Sequence, residues 1–220
     1  MKLADIFSHL SSGELSQLAL GQQSYGETLE KNYPALISSI NLGLTALHKR
    51  FYLKEGQLKF VLAGEGTTYD LERDDILKIE QVFTLEGKEL GVNDLTDPYS
   101  CFTPSMGSLT VPEVLINKGP NLPEELITSV LRVVYRANHG VIPLEVDPNT
   151  YEVGLPYSHL EALLYFVASR VHNPIGMVNE FHSGNSWAAK YEAECQKLEL
   201  QNIRIDQTHS STRLSDNGWV

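Results

Sequence analysis

Chemistry begins with groups that can attack, move a proton or hold a metal, and the chain offers a few sets of them. Ser186, in Ser183-Gly184-Asn185-Ser186-Trp187, is a hydroxyl that would need a neighbouring base to become a nucleophile. It lacks the G-x-S-x-G spacing of a nucleophile elbow, and its position suits a helix N-cap. Cys195 would attack as a thiolate, but it falls on the apolar stripe of a helical pattern, where a thiol is normally inert packing. The histidines His9, His48, His139, His159, His172, His182 and His209 form no HExxH or HxH. Only Glu180-Phe181-His182 places two ligand types close together, and two ligands do not complete a zinc sphere. His48 and His172 read as packed or solvated helix side chains. Asp74-Asp75, and Asp94 with Asp97, are the right types for a metal or an acid/base pair, yet acids flanking strands serve turns far more often. The nearest approach to a phosphate cradle, Gly64-Glu65-Gly66-Thr67-Thr68-Tyr69, has no third glycine, no following Lys-Ser or Lys-Thr, and a carboxylate in its middle. It reads as a hairpin turn. No constellation favours chemistry over structure, so the expectation is no catalytic, metal or cofactor-binding residue, no cofactor and no enzyme.

The elements around these residues define an α+β chain. Leu3, Ile6, Phe7 and Leu10 recur at helical spacing, and Ser11-Ser12-Gly13-Glu14 has the capping-box pattern before Leu15, Leu18 and Ala19, which predicts two short helices or one kinked one. Asn32-Tyr33-Pro34 offers a cap and a first-turn proline for a helix over about 33–54, with Leu36, Ile37, Ile40, Leu44, Leu47 and Phe51 in one stripe. From Gln57 the period drops to two. Leu58, Phe60 and Leu62 alternate, Leu77, Ile79, Phe83 and Leu85 nearly do so before Glu86-Gly87, and Leu109 with Val111 and Leu131, Val133 and Tyr135 follow. Prolines at 98, 104, 112, 120 and 123 punctuate the connections.

Helical pattern returns after Pro156, where Ser158-His159-Leu160-Glu161 repeats the capping-box signal. Leu160, Leu163, Leu164, Val167 and Val171 share a face, and Ala162, Tyr165, Phe166 and Ala168 make the other faces apolar, so this helix belongs at the centre of a bundle. A last helix over about 185–201 carries Trp187, Tyr191, Cys195 and Leu198 on one side. The chain therefore divides into 1–56, the first half of a bundle of about four helices; 57–153, an inserted antiparallel β domain; 154–201, the second half; and 202–220, an extended C-terminal arm. That arm is polar but keeps Ile203, Ile205, Leu214 and Trp219, and it reads either as a frayed terminus or as a segment whose spaced apolar anchors dock on a partner.

Composition excludes several classes. Apolar residues make up 42% of 220, enough for a real core. Cys101 and Cys195 lie far apart without metal spacing and read as free thiols in a reducing cytoplasm. Nothing near Met1 has the form of an export signal, and the most apolar run, Leu160 to Val171, falls short of the roughly 20 residues that cross a bilayer. Net charge is −11, and Glu55 to Glu152 holds 17 Asp+Glu against 7 Lys+Arg, a local −10. Without a cluster of Lys and Arg, tight nucleic-acid binding is disfavoured.

Several runs, taken together, resemble the adaptor or head-completion proteins of short-tailed bacteriophages. They are Ile40-Asn41-Leu42-Gly43-Leu44-Thr45-Ala46-Leu47-His48-Lys49-Arg50-Phe51 with Leu53-Lys54-Glu55-Gly56; Asp75-Ile76-Leu77-Lys78-Ile79 with Gly87-Lys88-Glu89-Leu90 and Asn93-Asp94; Tyr99 to Pro104; Val134-Tyr135-Arg136-Ala137-Asn138-His139; and Leu160 to Asn173 followed by Asn179-Glu180-Phe181-His182 and Lys190-Tyr191-Glu192. Their order and spacing carry the resemblance, which spans nearly the whole chain. It implies a virion protein, made in the host cytoplasm, that forms a dodecameric head-to-tail connector ring on the portal protein. Its arms, with Ile203, Ile205, Leu214 and Trp219 as docking residues, would reach between portal subunits, and its other partners would be a tail nozzle or further tail proteins. Genomic DNA would pass through the ring during ejection without specific binding, and the acidic insert would be either a wall that repels it or an outer surface that keeps the ring component soluble. No catalytic residues carry over from the family. The rival readings are another neck or tail ring, such as a tail terminator or nozzle protein, and an enzyme or ligand-binding protein whose site spacing does not reveal.

Overall fold

The computed structural model describes residues 1–16, 30–62, 66–118, 122–172 and 178–201, the stretch 178–183 by its backbone alone. Among these the chain is α+β. Its elements run α1 (Leu3–Ser12), α2 (Tyr33–Arg50), β1 (Glu55–Val61), β2 (Thr68–Asp70), β3 (Ile76–Thr84), β4 (Glu89–Leu90), β5 (Phe102–Ser105), β6 (Ser108–Thr110), α3 (Glu113–Ile116), β7 (Val130–Ala137), α4 (Leu160–His172) and α5 (Val178–Leu200). They belong to two compact units, Met1–Tyr52 with Gly140–Val220, and Leu53–His139.

In the helical unit the periodic apolar residues are the buried ones. Leu3, Ile6, Phe7 and Leu10 of α1, and Leu36, Ile37, Ile40, Leu44 and Leu47 of α2, face the core. Helix α4 packs against α1, α2 and α5, as an all-round apolar helix requires. Its approach to α2 depends on Gly43, where a Cβ would lie 2.6 Å from Leu163 Cδ1 and 2.9 Å from Phe166 Cδ1. Gly43→Leu should therefore destabilise the unit by about 1–3 kcal/mol through overpacking, read as a lower urea midpoint. Gly43→Ala should cost less, because helix propensity returns about 1 kcal/mol.

The helix ends differ from the capping patterns. Ser11 and Ser12 do not start a second helix: their hydroxyls donate to Phe7 O (2.8 Å) and Ser8 O (2.6 Å) in the last turn of α1, and Gly13 caps its C-terminus. Leu15 is buried just beyond, and the rest of that pattern, Leu18 and Ala19, lies outside the described residues. Asn32 makes no side-chain cap, since α2 grows out of a 3-10 turn at Glu30–Asn32, although Pro34 does occupy its first turn. Helix α2 stops at Arg50, where Phe51 turns to extended backbone and buries its ring. Likewise α4 follows a 3-10 turn at Tyr157–His159, and the Ser158 hydroxyl meets His159 Nδ1 at 3.0 Å instead of capping.

Residues 140–153, grouped with the β insert by their turn chemistry, belong to the helical unit. Backbone bonds Leu3 N–H to Tyr151 O, Ala4 N–H to Pro148 O and Val153 N–H to Met1 O tie them to α1. The Asn41 amide on α2 completes the attachment by donating to Ile142 O (3.0 Å) and accepting from Ile142 N–H (2.9 Å). The insert is thus shorter than 57–153 suggests and less acidic. Leu53–His139 holds 14 Asp+Glu and 8 Lys+Arg, a net −6, because Glu145, Asp147 and Glu152 lie in the other unit and Lys54 lies in this one.

The β unit consists of two antiparallel sheets, ordered β1-β7-β3-β4 and β2-β6-β5. Alternation places Leu131, Val133 and Tyr135 of the central strand β7 in the core with Leu109 and Val111, against partly buried Leu58 and Phe60. In β3 the expected phase fails. Register shifts between Ile76 and Lys78 and between Ile79 and Gln81 insert extra residues, so Ile76, Ile79, Val82 and Thr84 are buried while Leu85 is 62% exposed. Gly87, at φ +93°, makes the β3–β4 turn. The Gly64 segment does not connect a hairpin, because β1 and β2 pair in different sheets; residues 63–65 themselves lie outside the description.

Candidate functional site

Most of the described groups that could have done chemistry are engaged in structure. Ser186 is exposed within α5, which begins at Val178, so it is no N-cap. Cys195 is fully buried, and burial raises its pKa, so the thiolate is disfavoured. Cys101 is buried too, and desolvation pushes its thiol up to about 12. Asp75 is gripped by Arg73 through Nε and Nη2, each at 2.9 Å, and this pairing holds its carboxyl below the usual range. Asp94 Oδ1 accepts the Thr96 N–H (2.8 Å) and hydroxyl (2.7 Å), and Asp97 Oδ1 accepts the Tyr99 N–H (2.9 Å), the bonds of Asx turns. His48 and His172 are buried in helices. The side chains of Glu180 and His182 lie outside the described residues. Among those described, no three His, Cys, Asp or Glu residues converge on a metal position, and no helix is long and apolar enough to cross a membrane.

The docking residues Ile203, Ile205, Leu214 and Trp219 also lie outside the described residues. What the structure defines is the platform before them. Cys195 and Leu198 bury the inner face of α5, Trp187 stacks on Tyr165 at 5.6 Å, and the Lys190 ammonium sits 3.8 Å from the Trp187 ring centre. Near the end of α5, Arg50 from α2 donates from Nη1 and Nη2 to Glu192 (2.6 and 2.8 Å) and from Nε and Nη2 to Glu199 (2.8 and 3.3 Å). One guanidinium thus holds two carboxylates that lie about two turns apart on the last helix, a forked geometry that lysine cannot supply. Leu200, 87% exposed, follows directly, and the Gln201 N–H closes the helix on Lys197 O. Sequence reasoning missed this clamp because its partners are distant along the chain; a cation in the last turn of α2 was the only local signal.

His159 was also missed. It is fully buried, its ring edge-on to Phe51 at 4.7 Å, and among the described residues its Nε2 has no hydrogen-bond partner. Burial lowers its pKa below the ordinary 6.5. An unfolded chain then binds a proton that the folded one refuses, so the contribution of neutral His159 is present above pH 6.5 and is lost as pH falls below it. Urea midpoints of wild type and His159→Leu between pH 6.5 and about 5 should diverge, with the variant the flatter. Parallel profiles would remove this histidine from the acid response.

No protein-family model matches the chain, and no curated protein matches it.

Proposed function

We propose that the chain is a structural protein of a bacteriophage particle: the head-to-tail adaptor, which forms a ring on the portal, links it to the tail and surrounds the path of the ejected DNA. The observation that carries this reading is the end of α5, clamped by Arg50 and finished by exposed Leu200, from which a polar tail with spaced apolar residues departs. A helical unit interrupted by a β unit is also the arrangement that the resemblance implies. Buried thiols and turn-bound carboxylates support a structural role over a catalytic one. The net charge of −11 suits a conduit through which DNA slides without being held.

Electron microscopy of the chain mixed with its portal is the direct test. A single ring on the tail-side face of the portal is the expected image, with light scattering showing a monomer when portal is omitted. A stable dimer that ignores the portal would overturn the reading, and a ring placed farther down the tail would transfer it to a terminator or nozzle role.

A further inference from the structure

The outer face of the four-stranded sheet carries an arrangement that stability alone does not explain. In the register of β1 against β7, Lys59 stands directly opposite Arg132, so two cations share one cross-strand pair on the face away from the core. Like charges in such a pair are destabilising. Neither makes an ion pair among the described residues, although the unit has an excess of carboxylates. The other neighbour of Arg132 is Phe83 on β3, whose ring centre lies 4.7 Å from the guanidinium carbon. The guanidinium carbon lies over the ring, and the fork of N–H groups suits a planar acceptor. The two cations line a hollow of about 320 Å³ with Gln57, Thr84 and Glu86.

We infer that this hollow is a binding site for a carboxylate presented by an acidic segment of another polypeptide, with Lys59 and Arg132 as its paired cations. A carboxylate matches the guanidinium fork in two parallel N–H···O bonds and relieves the repulsion between the cations. The rim residue Glu86 and the net −6 of the unit oppose more highly charged ligands, so a singly charged carboxylate is favoured over phosphate or nucleic acid. Because β1 is, among the described residues, the outermost strand of its sheet and Lys59 is exposed, an extended segment can reach it along that margin. The site does not depend on the ring reading.

Fluorescence anisotropy of the full chain with a labelled Gly-Ser peptide carrying a single glutamate and blocked ends tests it, against the glutamine version of the peptide, inorganic phosphate and a single-stranded oligonucleotide. The glutamate peptide should bind best, and Lys59→Gln with Arg132→Gln should weaken it at least about tenfold, as loss of a bidentate charged pair predicts. Glu86→Gln should strengthen binding, and Lys59→Gln alone should leave the melting temperature unchanged or higher, since it removes a like-charge contact rather than a fold contact. Failure of the glutamate peptide to bind, binding indifferent to the double variant, or tighter binding of phosphate or oligonucleotide would each overturn the proposal.

Discussion

Tyr135→Ala should destabilise the β unit by about 3–5 kcal/mol, the range for truncating a buried aromatic, read from the urea midpoint. Tyr135 is 1% exposed on the strand that pairs with β1 on one side and β3 on the other. Its ring covers Gly56 of β1 so closely that a Cβ there would lie 2.3 Å from the ring Cζ. Removing the ring opens a cavity that the hydrogen-bonded strands on both sides cannot close. The hydroxyl matters less: it reaches both Asp75 carboxylate oxygens only at 3.4 Å, so Tyr135→Phe should cost under about 1 kcal/mol. Gly56→Ala forces the ring aside and should cost about 1–3 kcal/mol. In the double variant Gly56→Ala with Tyr135→Ala the methyl enters the space the ring left, so the combined loss should fall short of the sum by about 0.5–3 kcal/mol. Strict additivity would mean that the ring does not depend on the glycine.

The same pair shows what the sequence can reveal. The alternation of Leu131, Val133 and Tyr135 was legible because β7 runs straight through the sheet, and the α2 and α4 stripes were legible because burial in a bundle repeats with the helical period. In β3 the two extra residues change the phase, and nothing in its apolar pattern marks where a bulge falls. Ser11-Ser12 and Ser158 misled for another reason: a hydroxyl that can cap an N-terminus can equally bond backward within a turn, and only the neighbouring backbone decides. The assignment of residues 140–153 turned on long-range bonds such as Asn41 to Ile142, which local chemistry does not encode.

For the candidate sites the limits are similar. The turn role of Asp94 and Asp97 and the packing of Cys195 were readable from their local contexts, whereas the N-cap read at Ser186 failed because α5 begins earlier, at Val178. The Lys59–Arg132 pair became visible only through strand register, because two strands distant in sequence must first be aligned. The clamp on α5 has the same character, with one arginine on α2 and two glutamates near the far end of the fold.

If the chain is the proposed adaptor, deleting residues 203–220 should abolish binding to the portal in a sedimentation assay while leaving the melting temperature of the helical unit nearly unchanged. The second half of the expectation rests on described contacts: Cys195, Leu198 and the Arg50 bonds to Glu192 and Glu199 all precede the cut and secure α5 without it. The first half rests on the spacing of Ile203, Ile205, Leu214 and Trp219. Each such side chain buried on a partner contributes roughly 1.5–3 kcal/mol, with the aromatic the largest. Ordering each backbone residue of the arm costs about 1 kcal/mol or more, so anchors alone do not secure it and backbone hydrogen bonds to the portal must add to them. Trp219→Ala should therefore weaken binding by at least about tenfold without eliminating it, whereas the full deletion removes anchors and backbone bonds together. A truncated chain that still sediments with the portal would exclude the arm as the docking element, and one that melts early would make residues 203–220 part of the fold that supports α5.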